Sequence, residues 1–166
     1  YGWSLDLSTQ DSQGRVWNFD DPGCRARAID LVNSSRPLLL VLSPMCRFFS
    51  SLQNLSKDKR DEAKFQENFK RAAVHLDFCI QLCRLQEASG RYYLLEQPAT
   101  ATSWDQPCLV KFLAESSQAI LTTCHLCEYG LRTTNPDGTS TYARKLTRWL
   151  TNSPSLAGAL SQKCKG

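Results

Sequence analysis

The chain has 166 residues, 42% of them hydrophobic and 22% charged, with a formal net charge of +4. These values suit one globular domain, residues 1–166, with a core of its own. They permit a nucleic-acid partner without demanding one. No stretch approaches the roughly 20 apolar residues of a membrane span, so no membrane partner is expected.

Residues 1–15 lack the basic start and apolar core of a signal peptide. With no initiator methionine, the chain is expected to be cut from something longer and to have other domains as neighbours. Eight cysteines would allow disulfides. A chain of this length does not need them, and Cys79 and Cys83 fall on the apolar face of a predicted helix. A reducing, intracellular setting, nucleus or cytoplasm, is therefore expected.

In chain order, residues 2–8 alternate Trp3, Leu5 and Leu7 against polar neighbours, a strand pattern. Residues 12–15 turn, and 16–22 form a short extended piece. Asp21-Pro22 opens a helix running to about residue 33. The run 37–44 is apolar on both faces, as a central parallel strand would be, and stops at Ser43-Pro44 with Cys46 two residues on. Residues 61–88 are the clearest helix, with apolar residues at steps of three and four from Phe65 through Cys83 and glycine at 90 to end it.

Residues 91–98 read as a strand ended by Pro98. Ser103, with Gln106 three positions on, is expected to cap a helix to about 117. Residues 119–130 are the next strand candidate, Asn135-Pro136-Asp137-Gly138 a turn, and 147–154 a last strand before a short helix from Ser153. Strands alternating with helices predict an α/β Rossmann-like layered domain with a mainly parallel sheet flanked by helices. In such sheets ligands gather at the carboxyl ends of the strands, where Cys46 and Glu96 both fall.

These residues carry a resemblance. Pro44-Met45-Cys46-Arg47-Phe48-Phe49-Ser50 resembles the Pro-Pro-Cys-Gln-x-Phe-Ser nucleophile motif of the cytosine carbon-5 DNA methyltransferases. Glu96-Gln97-Pro98 follows about one strand later, as the family's Glu-Asn-Val does. Cys127-Glu128-Tyr129-Gly130 is similar to its Tyr-Gly segment, and residues 142–154 to an Arg-Lys-x-Thr-Arg-x-x-Thr-Asn stretch of compact phage and mobile-element members. The resemblance covers roughly residues 36–154.

It implies an S-adenosylmethionine-dependent methyl transfer to cytosine. The Cys46 thiolate would add to carbon 6, and Glu96 would donate a proton near ring N3. A helix beginning after Cys46, together with Arg47, would favour the thiolate. Asp6, at the end of the strand over 2–8, and Asp20 would hold the ribose and adenine of the cofactor, with Ser43 and Pro44 beside it. Arg47, Arg132, Arg144, Lys145 and Arg148 would contact nucleic acid, DNA more than RNA, with a duplex base flipped out of its stack.

Met45, Arg47, Gln97 and Pro98 differ from the family's residues, and its Phe-x-Gly-x-Gly cofactor loop has no counterpart. A fold shortened by its first βα unit is therefore expected. The alternative is a catalytically inactive methyltransferase-like domain kept as a nucleic-acid-binding or assembly module of a larger polyprotein.

Plainer readings stand beside these. Cys46 can be a half-buried thiol at a strand end, and Glu96 a carboxylate capping the helix that follows. The 142–148 basic cluster can be a solvated face. His75 reads as structural, and Trp104 and Trp149 as core or rim. Cys124-His125-Leu126-Cys127 has Cys-x-x-Cys spacing, but zinc would need two more ligands, with Cys164 and Cys108 the obvious cysteines. Residues i and i+3 of a strand face opposite sides, so no metal site is assigned.

Overall fold

The structure, a computed structural model, describes residues 2–50 and 61–165. Helix α1 spans Pro22–Ser35, and the side chain of Asp21 accepts hydrogen bonds from the Gly23 and Cys24 amides at its start. Strand β1 (Leu39–Leu42) leads into a single 3-10 turn, Arg47–Phe49. Helix α2 (Glu62–Ala88) is capped by Asp61, which accepts from the Lys64 amide at 3.1 Å. It buries Ala72, Leu76, Cys79 and Cys83, the face its periodicity marks. Gly90 beyond its end has φ +66, a conformation glycine adopts without steric cost.

Strand β2 (Tyr92–Pro98) is followed by a 3-10 turn, Thr102–Asp105, and helix α3 (Pro107–Glu115). Strand β3 (Ile120–His125), a 3-10 turn (Leu126–Tyr129), the β4–β5 hairpin (Arg132–Thr134 and Ser140–Tyr142), strand β6 (Leu146–Thr151) and helix α4 (Pro154–Ala159) complete the chain.

The fold is α/β, with a four-stranded mixed sheet in the order β1-β2-β6-β3 flanked by helices. This corrects the expectation of a mainly parallel sheet. Only β1 and β2 pair parallel; β6 is antiparallel to both β2 and β3. The reason lies in the connections. Parallel neighbours need a long crossover, supplied by α2 between β1 and β2, whereas β3 returns to β6 through a hairpin with no helix between them. Strand β1 is also an edge strand rather than the central one its two-sided apolarity suggests.

Residues 2–8 do not form a strand. The carbonyl of Asp6 accepts from the Thr9 amide at 3.0 Å and its Oδ1 from the Ser8 amide at 2.8 Å, so the chain turns where the alternation would have continued. Trp3 and Leu7 are exposed, and only Leu5 of the three apolar positions packs against the core. Ser103 is not a helix cap either. Gln106 precedes α3, whose first residue is Pro107, and Ser103 lies buried in the preceding 3-10 turn.

The core sits between α2 and the sheet. Tyr93 and Leu95 of β2 and Leu150 of β6 point into it, and the Tyr93 ring meets Phe112 of α3 edge-on at 5.9 Å. Cys24, Ala28 and Val32 join α1 to the same cluster, with Phe19 against Phe78 at 5.2 Å. Burying Leu150 in this setting is worth roughly 2 kcal/mol by area. Among the described residues, no helix is long and apolar enough to cross a membrane.

Candidate functional site

Although β6 runs against its neighbours, β1, β2 and β3 all point the same way. Their carboxyl ends meet along one edge, the side on which α/β sheets take ligands. Cys46 lies just past the end of β1 on that edge and is half-buried.

Two hydrogen bonds bracket its loop. On one side, Gln97 of β2 donates from Nε2 to the Pro44 carbonyl at 2.6 Å. On the other, Thr102 donates from Oγ1 to the Phe49 carbonyl at 3.2 Å. Gln97 is in turn held by Ser103, whose Oγ donates to Gln97 Oε1 at 3.1 Å. Phe49 is buried, its ring edge-on to Phe69 of α2 at 5.2 Å, so it nails the far end of the turn into the core. The Cys46 carbonyl accepts from the Phe49 amide at 3.0 Å and opens the 3-10 turn. The element after Cys46 is thus a three-residue turn rather than a helix, and its dipole is correspondingly small.

Glu96 projects from β2 on the face opposite Gln97, in register with Trp149 of β6. Its side chain is only 18% exposed, and Lys145 Nζ lies 3.3 Å from Oε1. The structure therefore joins two residues that the sequence placed in different roles. It does not make Glu96 a helix cap.

The remaining basic candidates separate. Arg148 is in register with Gln97 and lies over the Trp104 ring, 5.1 Å from its centre. Trp104 is buried, its Nε1 donating to the Pro98 carbonyl at 2.9 Å. Arg132 lies over Tyr142 at 4.4 Å on the β4–β5 hairpin, and Arg144 is exposed at the hairpin's return. Arg47 is exposed beside the Phe48 ring.

Three of the four cofactor candidates border a groove of about 910 Å³ between the β1 edge, α1 and the first residues of the chain: Asp6, Asp20 and Ser43. Pro44 is buried and turned toward Gln97 instead. The groove reaches the Cys46 loop through Ser43 and Met45. Asp6 occupies a turn rather than a strand end. Both of its bonds to Ser8 land on Oδ1, and they hold its carboxyl below the usual range. Asp20 is taken up by Arg71, whose guanidinium donates to Oδ2 and lowers the carboxyl's pKa. His75 lines the same groove, its ring tilted against Phe19 with centroids 5.6 Å apart. Burial pushes its pKa down, which suits a structural imidazole.

The other thiols are of different kinds. Burial raises Cys79 to about 12 and lifts Cys83 and Cys24 as well, so these are core side chains. Cys124 is buried under Trp149, whose Nε1 donates to its sulfur at 3.2 Å. Cys108 sits on α3, half-buried.

Sequence reasoning missed Gln97, Ser103 and Thr102 as the residues that hold the Cys46 loop. The available signal was a glutamine at an inward position of an otherwise apolar strand, Tyr93, Leu95 and Gln97 being one alternating set. No protein-family model, curated protein or solved structure matches the chain.

Proposed function

We propose that this chain is a Rossmann-type methyltransferase-like domain that acts on cytosine in nucleic acid, DNA before RNA, with Cys46 as nucleophile and Glu96 as the proton donor. The observation that carries this reading is the bracketed Cys46 loop at the end of β1, beside the parallel strand that bears Glu96. A nucleophile gains rate from being held in place before its substrate arrives, and the Gln97 and Thr102 bonds supply that hold.

In the reaction, the sulfur would add to ring carbon 6, and a proton from Glu96 at N3 would take up the developing charge. Carbon 5 would then be the nucleophilic atom; once methylated, it would lose its proton to solvent, the N3 proton would return to Glu96 and the sulfur–carbon 6 bond would break to release the Cys46 thiolate. Lys145, in contact with Glu96, would give up that contact for a phosphate or the base carbonyl, and Arg144 would add a second cationic contact.

The groove beside the loop fits S-adenosylmethionine in kind: its walls are largely apolar, its size falls in the ligand-pocket range, and Asp6 Oδ2 is left for a ribose hydroxyl. The group would supply the methyl, with Asp6 holding its ribose and Ser43 and Met45 bordering it on the way to Cys46.

The second reading, a catalytically inactive nucleic-acid-binding or assembly module, is favoured by one observation. Lys145 satisfies Glu96, which makes it a competent structural ion pair without any substrate. Covalent trapping separates the two. The chain is incubated with S-adenosylmethionine and an oligonucleotide carrying 5-fluorocytosine. The expected result is a denaturation-resistant adduct in the intact mass, abolished in Cys46→Ala and slowed at least about 100-fold in Glu96→Gln. Oligonucleotide binding with no adduct would favour the inactive module.

A further inference from the structure

The Cys-x-x-Cys spacing at 124–127 does not form a thiol pair, because Cys124 ends up under Trp149 on the sheet face. Cys127 meets another cysteine instead. Its sulfur, the sulfur of Cys164 and a carboxylate oxygen of Glu128 all lie within 4.8 Å of one another. Two thiols and a carboxylate at that separation match the ligand chemistry of a tetrahedral zinc ion, whose bonds of about 2.3 Å to sulfur and 2.0–2.2 Å to oxygen set its ligands a little under 4 Å apart.

The surroundings hold these three residues from both sides. Cys127 and Glu128 lie in the 3-10 turn after β3, which Gly130 closes with φ +85 by donating to the Cys127 carbonyl at 3.1 Å. Cys164 lies on the tail after α4, more than 30 residues away in sequence. Four hydrogen bonds pin the end of α4 and that tail to the end of β3 and the turn. Tyr129 Oη donates to the Ala159 carbonyl at 2.7 Å and accepts from the Gln162 amide at 3.1 Å. The His125 amide donates to the Gln162 carbonyl at 3.0 Å. The Cys164 amide itself donates to His125 Nδ1 at 2.9 Å. His125 is buried, so a fixed imidazole sets the position of the ligand residue, as outer-shell groups do around metal ions.

We infer that Cys127, Cys164 and Glu128 bind a zinc ion that staples the tail after α4 to the turn after β3. Two thiolates select a soft divalent cation over magnesium or calcium. Three protein ligands leave a fourth position for water. Binding releases the two thiol protons to solvent and changes no oxidation state.

The test uses the whole chain, reduced and stripped with a chelator, titrated with cobalt(II) as a spectroscopic probe and then with zinc. The expected result is one cobalt per chain with a thiolate-to-metal charge-transfer band that zinc displaces. Cys127→Ser and Cys164→Ser each abolish the band, while Cys108→Ser keeps it. His125→Leu, which removes only the outer-shell bond, weakens cobalt binding by about tenfold or more. A band that survives Cys164→Ser overturns the assignment. So does the absence of any band from protein that retains its circular dichroism spectrum. So too does reduced protein that takes no metal but loses two hydrogens on mild oxidation, with Cys127 and Cys164 linked in one peptide pair, since that marks a redox pair instead.

Discussion

The two edges of the sheet are finished in opposite ways. At the β3 edge the chain covers itself: Thr122 donates to the Leu160 carbonyl at 3.4 Å, Lys163 Nζ to the Thr123 carbonyl at 2.6 Å, and the His125 amide to Gln162. At the β1 edge nothing similar is in place among the described residues. Leu38 is 71% exposed and Val41 62%, and the strand looks onto the open groove. An unpaired strand edge is a liability that proteins usually blunt with charge, proline or a covering segment. The covered edge lies far from the nucleophile candidate and the open edge next to it. Closure by the chain's own tail and the open groove thus lie at different ends of one sheet. What keeps the Cys46 loop ordered on the open side is therefore not edge pairing but the interior side chain of Gln97, reaching across from β2.

That contrast can be broken most severely at Gln97. Gln97→Leu leaves the Pro44 carbonyl and the Ser103 hydroxyl without their partner in a buried setting, and a loss of about 2–3 kcal/mol is expected in urea unfolding. Faster hydrogen exchange at the Phe49 amide should accompany it, because the turn it closes has lost one of its two ties. On the covered edge, Tyr129→Phe removes a hydroxyl that both donates and accepts, and about 1 kcal/mol is expected. Its local signature is faster exchange at the Gln162 amide with the Phe49 amide unchanged. If both amides respond to either substitution, the two edges are not independent.

The smallest effect is a slope. The pKa of His75 is lowered by burial in the folded chain, so the unfolded chain binds the proton more readily as pH falls through about 6.5. Stability at the groove side should therefore fall between pH 7 and pH 5. Asp20 opposes this trend and Arg25 reinforces it. Asp20 contributes nothing of its own in that window, since its lowered pKa places its loss of stability below about pH 4. In His75→Gln the fall between pH 7 and pH 5 should flatten, as measured by urea midpoints across that range.

Much of the fold was legible. The helix starts at Asp21-Pro22 and near Asp61, the buried stripe of α2 and the Asn135–Gly138 turn all have local causes, and each is found where its residues point. Direction was not legible. Residues 147–154 read as a strand, found at Leu146–Thr151, but that reading says nothing about which way it runs, and the antiparallel pairing of β6 follows from a connection rather than from its own residues. The strand expected at 2–8 failed because one carboxylate, Asp6, offered the backbone a turn. At the site, Cys46 and Glu96 were readable as strand-end residues. The Lys145 contact on Glu96 was not, since it spans 49 positions and depends on the return of β6. Cys164 could be named from sequence as a candidate ligand beside Cys127, but that Cys127 meets it while Cys124 turns away under Trp149 depends on the return of the tail after α4 and could not be read.

Gln97 has one further consequence. Its amide is polar in a defined sense, with the nitrogen toward a carbonyl that can only accept and the oxygen toward a hydroxyl that can donate. Rotating the amide would set two carbonyls against each other. A carboxylate of the same length would do so permanently, and a thioether of similar size would offer neither end. The position therefore admits side chains by the order of their donor and acceptor rather than by size or charge. A single neutral amide acts as a keyed connector between the strand that carries Glu96 and the loop that carries Cys46.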